Sequence, residues 1–244
     1  RLASGSVVTT TSTTEVRRVT LSSVTGEQTF FFKRYWVTHP RQLWSGMLLG
    51  SFFGCPKVRR EYRNLEWLRA AGFDSPAPVA FGEERRSGWL VRSFLISAGI
   101  PEPLPLNEYI RSRLPALEPA ERRLNRRTLI EHLAHYTRRL HEQRFVHHDY
   151  FWRNILLSRE SLDRFYLIDA HKGRIWSSWA ENSSRAADLA ALDAPAPHFF
   201  RRSERLRFFL TYLGRHHLDH AGTQLLRRTL ALAEPMRERQ LRRA

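Results

Sequence analysis

Several features that would narrow the function of this chain are scarce or missing. Among its 244 residues there is one cysteine, Cys55, which excludes an internal disulfide bond and is typical of a reducing compartment. No apolar run approaches the roughly 20 residues of a membrane-spanning helix, and the most apolar stretch, residues 47–54, is far shorter. We find no signal peptide either, so we expect a cytoplasmic protein.

Negative charge is scarce relative to positive charge. The 40 Lys+Arg residues outnumber the 24 Asp+Glu residues, which gives a net charge of +16, and nearly all of the cations are arginine. Because arginine forms bidentate contacts with phosphate, this excess favours a polyanionic partner such as nucleic acid, anionic lipid or a phosphorylated glycan. No helix-turn-helix, zinc-finger or aromatic RNA-binding pattern occurs, so we expect no nucleic acid partner.

The first third of the chain has the pattern of a β-sheet with one helix. Apolar and polar residues alternate over residues 15–23 and 29–37, on either side of a turn at Gly26. The Pro-rich segment "DSPAPVAFGEE" leads into another strand, and residues 88–96 form a further one. Residues 57–71 carry apolar side chains at three- and four-residue spacing, which predicts an amphipathic helix.

The rest of the chain is mainly helical in pattern. An apolar stripe predicts a long helix that ends near Gln143, and short strands are predicted at "NILL" and "RFYLIDA". Three further helices are predicted at 184–193, 203–215 and 222–240. We therefore predict an α+β fold with two lobes, a strand-rich lobe at 1–94 and a mainly helical lobe at 95–244.

Three polar residues follow one another in a pattern that suits phosphoryl transfer. Asp149 follows the long helix, Asn154 precedes a short strand, and Asp169 ends the apolar strand "FYLI". A loop, a two-strand hairpin and a second loop would bring all three to one edge. One carboxylate can then orient and deprotonate a hydroxyl, while the amide and the second carboxylate hold Mg²⁺ against phosphates.

A lysine on a strand and a glutamate on the next helix would complete this set. Lys33 lies in a strand rich in aromatic residues and could bind phosphates, with a glutamate holding the lysine in place. Glu61 and Glu66 compete for the second role, and we favour Glu61 because it flanks the apolar stripe of the helix. Taken alone, Asp149 would more often be a turn or capping residue, and Lys33 a solvent-facing one; their combination favours the catalytic interpretation.

These motifs together resemble those of protein-kinase-like enzymes. The segment "HHDYFWRN" resembles the catalytic loop, with Asp149 as the base and Asn154 as a metal ligand, and "LIDAHKG" resembles the metal-binding loop, with Asp169 as the metal ligand. Within that superfamily, "FFFKRY", "LHEQRFVHHD", "NILL" and "RAADLAAL" are most similar to bacterial lipopolysaccharide-core kinases, over roughly residues 15–215. The resemblance implies a two-lobed protein-kinase-like fold and an ATP- and Mg²⁺-dependent kinase that phosphorylates heptose or Kdo of the inner core.

The resemblance also implies roles for neighbouring residues. Lys33 and Glu61 would position the ATP phosphates, and Arg153 could hold the transferred phosphate. From its position Asp188 would be an ordinary acidic residue near a helix N-terminus. The resemblance implies that it also anchors the backbone of the catalytic loop. We expect His147 to brace the same loop by a hydrogen bond.

Two departures from that family pattern leave alternatives open. Ala170 and His171 stand where protein kinases have Phe-Gly, so we expect no activation-loop switch of that kind. The Gly-rich phosphate loop is missing, since Gly5 is the only glycine near the start. The alternatives are a kinase with a small-molecule or protein acceptor, and a pseudokinase that serves as a binding module.

The insert at residues 40–60 has a composition that suits a membrane surface. It combines Trp44, Phe52 and Phe53 with several cations, and a glycolipid acceptor would lie in an anionic membrane. We therefore expect a peripheral location at the inner membrane. The alternative is that the two phenylalanines pack under the N-terminal lobe.

We predict that the chain binds anionic vesicles but not neutral ones, and that salt weakens this binding steeply. Each arginine near such a surface contributes about 1 kcal/mol, over a Debye length of roughly 8–10 Å. Replacing Arg41, Arg59 and Arg60 by Gln should reduce binding in a vesicle sedimentation assay and leave ATP affinity unchanged. Equal sedimentation with neutral vesicles would contradict the membrane assignment.

Overall fold

The computed structural model describes residues 5–23, 26–36, 56–87, 89–159, 161–176 and 181–241. Most of the predicted membrane insert, including Arg41, Trp44, Phe52 and Phe53, lies outside these residues. The chain divides into two compact units. The N-terminal unit comprises Arg1–Pro101 with Ala170–Lys172, and the C-terminal unit comprises Glu102–Asp169 with Gly173–Ala244.

The N-terminal unit is an antiparallel sheet with one helix. Its strands are β1 (Ser6–Thr10), β2 (Thr14–Ser23), β3 (Gly26–Trp36), β4 (Pro78–Arg86) and β5 (Trp89–Ala98), in the order β1-β2-β3-β5-β4. The predicted strands are confirmed within a few residues. The structure adds β1, whose side chains are all exposed and therefore show no alternation of apolar and polar residues.

Helix α1 (Lys57–Ala70) forms because its apolar residues recur once per turn. Val58, Leu65 and Leu68 are buried at this spacing, and Glu61 is buried beside them. The helix ends before Gly72, whose φ of +78° is the left-handed conformation that glycine adopts most easily.

The C-terminal unit is built mainly from four helices. These are α2 (Pro119–Glu142), α3 (Glu181–Asp193), α4 (Arg202–Leu213) and α5 (His220–Leu241). Their core includes Ala134, Ala186, Leu189, Phe209, Tyr212 and Leu225. All four predicted helices are confirmed, and with the N-terminal sheet they confirm the α+β class. No helix among the described residues is both long and apolar enough to cross a membrane.

Short strands connect these helices and shape the loops between them. They are β6 (Leu104–Pro105), β7 (Phe145–Val146), β8 (Ile155–Leu157), β9 (Phe165–Leu167) and β10 (Arg174–Ile175). Strand β8 pairs with β6 and β9, and β7 pairs with β10. Three short helical pieces precede α2, at Leu106–Glu108, Tyr109–Arg113 and Leu114–Ala116. Two-residue strands are too short to produce a period in the sequence, so β6, β7 and β10 were not predicted.

Candidate active site

In the N-terminal unit a buried carboxylate lies between two donors on strand β3. Lys33 Nζ is 3.1 Å and 3.2 Å from the two carboxylate oxygens of Glu61, and the Tyr35 hydroxyl donates to Glu61 Oε2 at 2.7 Å. Burial, and next the negative charge of Glu61, raise the pKa of Tyr35, so its hydroxyl remains a protonated donor. The side chain of Lys33 is 17% exposed, so its ammonium group is fixed yet can still contact a ligand.

The register of the sheet explains why these two residues face the same carboxylate. Lys33 and Tyr35 are two residues apart on β3 and therefore point to the same face of the sheet. Tyr35 was not predicted from the sequence, although its spacing from Lys33 is the signal that indicates it. Glu66, the competing glutamate, is exposed on α1, so the structure pairs Lys33 with Glu61.

In the C-terminal unit a tight loop between β7 and β8 holds the other predicted residues. Asn154 Nδ2 donates to both the carboxylate and the backbone carbonyl of Asp149, each at 2.8 Å. Arg153 Nη2 lies 3.2 Å from the same carboxylate. Asp149 and Asn154 are buried, whereas the Arg153 side chain is 56% exposed and stacks on the ring of Phe151.

The predicted hairpin brings the segment of Asp169 beside this loop. Strands β8 and β9 pair so that Ile155 is opposite Leu167, and the Ile168 amide donates to the Asn154 carbonyl at 3.1 Å. Asp169 follows directly, with a φ of +58° that is uncommon for a residue other than glycine. Because Asn154 uses its amide nitrogen on Asp149, its amide oxygen is the atom that could bind a metal ion.

A buried carboxylate on α3 anchors the backbone of this loop. Asp188 accepts hydrogen bonds from the backbone amides of His147 and His148, at 2.7 Å and 2.8 Å, which confirms the expected anchor. The expectation that Asp188 is an ordinary acid near a helix N-terminus is wrong, because α3 begins at Glu181 and Asp188 lies well inside it. The sequence predicted a later start for this helix.

His147 braces the same loop from inside, as expected. Its Nε2 lies 3.0 Å from the carbonyl of Ile168, and the ring is fully buried. Burial lowers the pKa of His147, so the neutral ring donates through Nε2–H to that carbonyl. This bond joins the residues before Asp149 to the residue before Asp169.

The C-terminal unit also contains a cavity of about 770 Å³ that was not predicted from the sequence. Helices α2 to α5 line it with apolar side chains, among them Leu129, Ile130, Leu133, Phe209, Leu226 and Leu230. Arg201 and Arg202 also line it. The hydroxyl of Thr229 is buried in the lining, and within the described part of the chain it has no hydrogen-bond partner. In the sequence the apolar residues that line the cavity have the spacing of ordinary core-facing helix residues, so they do not indicate a cavity.

Comparisons with known proteins agree with this geometry. Residues 6–209 match the Lipopolysaccharide kinase (Kdo/WaaP) family. No curated protein matches the chain significantly. Its structure is similar to that of WaaP in complex with acyl carrier protein, with a TM-score of 0.65 and 23% identity over 97% of this chain and 89% of that one. At this identity the likeness shows the fold alone.

The neutral state of buried His147 predicts a pH dependence of stability. Below about pH 6.5 the unfolded chain binds a proton at this histidine that the folded chain excludes. The contribution of neutral His147 to the free energy of unfolding is therefore complete above that pH and is lost on acidification. In wild type the free energy of unfolding should fall between about pH 7.5 and pH 5, and His147→Asn should make this slope smaller. One proton contributes at most about 1.4 kcal/mol per pH unit to the slope.

Denaturant titrations at a series of pH values would measure this slope. Burial also lowers the pKa of His141, so the slope should decrease rather than vanish. His148→Asn is the matched control, because it makes the same substitution at the neighbouring histidine, which is exposed. Equal slopes for wild type and His147→Asn would contradict the assignment.

Proposed function

Because the chain belongs to the Lipopolysaccharide kinase (Kdo/WaaP) family, we propose that it transfers the γ-phosphoryl group of ATP to a heptose or Kdo hydroxyl of the lipopolysaccharide inner core. Family membership makes the chain an ATP-dependent phosphotransferase. The observation that carries the proposal is the loop in which the buried Asp149 carboxylate is held by Asn154 and Arg153. A residue held in this way is suited to act on an acceptor hydroxyl.

Asp149 is the proposed base. Its carboxylate accepts the proton of the sugar hydroxyl while the sugar oxygen forms a bond to the γ-phosphorus and the bond from that phosphorus to the leaving ADP oxygen breaks. The hydrogen bonds from Asn154 and Arg153 fix the carboxylate before the acceptor arrives, which reduces the entropy lost in orienting the reacting groups. Exposed Arg153 would contact the transferred phosphoryl group.

Asn154 and Asp169 are the proposed Mg²⁺ ligands. Mg²⁺ prefers oxygen ligands, and this pair offers an amide oxygen and a carboxylate, so the residues present fit the ion. When bound, Mg²⁺ neutralises negative charge on the ATP phosphates. The Asn154 amide nitrogen is occupied by Asp149, which orients the oxygen for this purpose.

Lys33 and Glu61 are proposed to position the ATP phosphates. The two hydrogen bonds from Lys33 to Glu61 fix the ammonium group, and the Tyr35 hydroxyl holds the carboxylate from a second direction. Removing the charge of Glu61 would leave Lys33 without this partner. The strongly positive chain and its glycolipid acceptor also support a peripheral location at the cytoplasmic face of the inner membrane.

Substitution of Asp149 tests the chemical step. Asp149→Asn should reduce phosphoryl transfer by about 10²-fold or more, because positioned acid–base groups contribute roughly 10²–10⁴-fold, while ATP affinity stays near wild type. The measurement combines a γ-phosphate transfer assay with equilibrium ATP binding. A variant that keeps more than about a tenth of wild-type turnover would exclude Asp149 as the base.

Substitution of the two glutamates of α1 tests the phosphate-positioning pair. Glu61→Gln should raise the KM for ATP and lower kcat, because Lys33 loses its charged partner. Glu66→Gln removes the same charge from the same helix at an exposed position and should change neither constant more than about twofold. Steady-state kinetics over a range of ATP concentrations separates the two, and a larger effect of Glu66→Gln would refute the pairing.

We also propose that the chain binds an acyl carrier protein, as the similar WaaP structure contains one. Three observations support this partner. The cavity of the C-terminal unit is large enough and apolar enough for a long acyl chain, and exposed Leu230 lies in its lining. The buried Thr229 hydroxyl could bond to a polar group of such a ligand. Arg201 and Arg202 suit the phosphodiester of the carrier's pantetheine arm.

Calorimetry with an acyl carrier protein, loaded with a long saturated chain or unloaded, tests this partner. Loaded carrier should bind at least about 10-fold more tightly, because only it buries apolar surface in the cavity. Leu230→Trp should weaken binding of the loaded carrier by narrowing the cavity, whereas Leu124→Trp, at an exposed position outside the lining, should not. Equal binding of loaded and unloaded carrier would contradict the proposal.

A further inference from the structure

Asn64 on helix α1 has no part in the proposed phosphate, metal or base positions, yet it makes a specific side-chain contact. Its side-chain amide Nδ2 donates a hydrogen bond to the carbonyl oxygen of Ala170 at 2.6 Å. Both residues belong to the N-terminal unit, in which the short turn Ala170–Lys172 lies against α1. Ala170 is fully buried, so its carbonyl depends on protein donors rather than on water.

The position of Asn64 on the helix connects two parts of the proposed machinery. Asn64 lies three residues after Glu61, and residues at this spacing are neighbours on one helix face, with Cβ atoms about 5–6 Å apart. One turn of α1 therefore holds Lys33 through Glu61 and holds the Ala170 carbonyl through Asn64.

The residue before Ala170 is Asp169, whose backbone conformation needs support. Its φ of +58° is uncommon for residues with a side chain, and such conformations persist where the surroundings over-determine them. On the preceding side the Ile168 amide is bonded to the Asn154 carbonyl. On the following side the bond from Asn64 fixes the Ala170 carbonyl. The methyl side chain of Ala170 offers no hydrogen-bonding group, and the bond from Asn64 is made to the backbone carbonyl.

We infer that Asn64 is a positioning residue that orients the Asp169 carboxylate by fixing the backbone of Ala170. The inference rests on the proposed role of Asp169 as an Mg²⁺ ligand. It assigns to α1 a second task besides holding Lys33, and it explains how the metal loop is held without the Phe-Gly pair of protein kinases.

The test compares nucleotide binding with and without metal. Asn64→Leu keeps the number and the branching of the side-chain heavy atoms but donates no hydrogen bond. It should raise the Mg²⁺ concentration for half-maximal binding of a fluorescent ATP analogue by roughly threefold to tenfold, the effect of losing one hydrogen bond. Binding of the analogue without metal should remain unchanged, because Lys33 and Glu61 are intact. Asn64→Gln keeps the amide donor, so its Mg²⁺ concentration for half-maximal binding should lie between those of wild type and Asn64→Leu.

Glu66→Leu is the control for a leucine introduced on α1, and it should not change the Mg²⁺ requirement. An unchanged Mg²⁺ requirement in Asn64→Leu, with wild type Mg²⁺-dependent, would overturn the inference and leave the proposed function intact. An equal loss of binding with and without metal would overturn it in favour of a purely structural role for Asn64. Nucleotide binding by wild type that does not depend on Mg²⁺ would refute the metal-ligand role of Asp169, and the inference with it.

Discussion

The loop that carries Asp149 and Asn154 depends on one buried carboxylate, that of Asp188. Two backbone amides, of His147 and His148, donate to its two oxygens, and hydrogen bonds to an ionised group are shorter and stronger than neutral ones. His148 has a φ of +58°, so the chain turns sharply where the anchor holds it. Without that anchor two backbone amides, of which that of His147 is buried, would lose their acceptor, and the carboxylate of Asp149 would lose its fixed position.

The anchor is in turn held by a network of polar residues in the helical core. His141 lies 3.4 Å from Asp188 through Nε2 and 2.9 Å from the Tyr212 hydroxyl through Nδ1. Arg185 Nε donates to the same hydroxyl. A buried charge is tolerated only where such partners compensate it. The N-terminal unit follows the same rule on a smaller scale, since Lys33 and Tyr35 compensate the buried Glu61.

The sequence predicted those parts of the fold that depend on regular spacing. The long helices and strands β2 to β5 have periodic apolar residues, and the motif order placed Lys33, Asp149 and Asn154 in the elements where the structure has them. Exposed β1 and the two-residue strands have no such period. Tyr35, Asn64 and the cavity depend on which side chains of distant segments meet, and this is decided by tertiary packing that local patterns do not encode.

The central claim is that the chain phosphorylates a sugar hydroxyl of the lipopolysaccharide inner core. The most direct measurement is transfer of the γ-phosphate of ATP by the purified chain, with Mg²⁺, to a panel of core glycolipids that end in Kdo or heptose, with aminoglycosides and a protein substrate as comparison acceptors. We expect the label on a core glycolipid and not on the other acceptors. Tight glycolipid binding without transfer to any acceptor would contradict it and indicate a pseudokinase, and transfer only to a comparison acceptor would contradict the assigned substrate class.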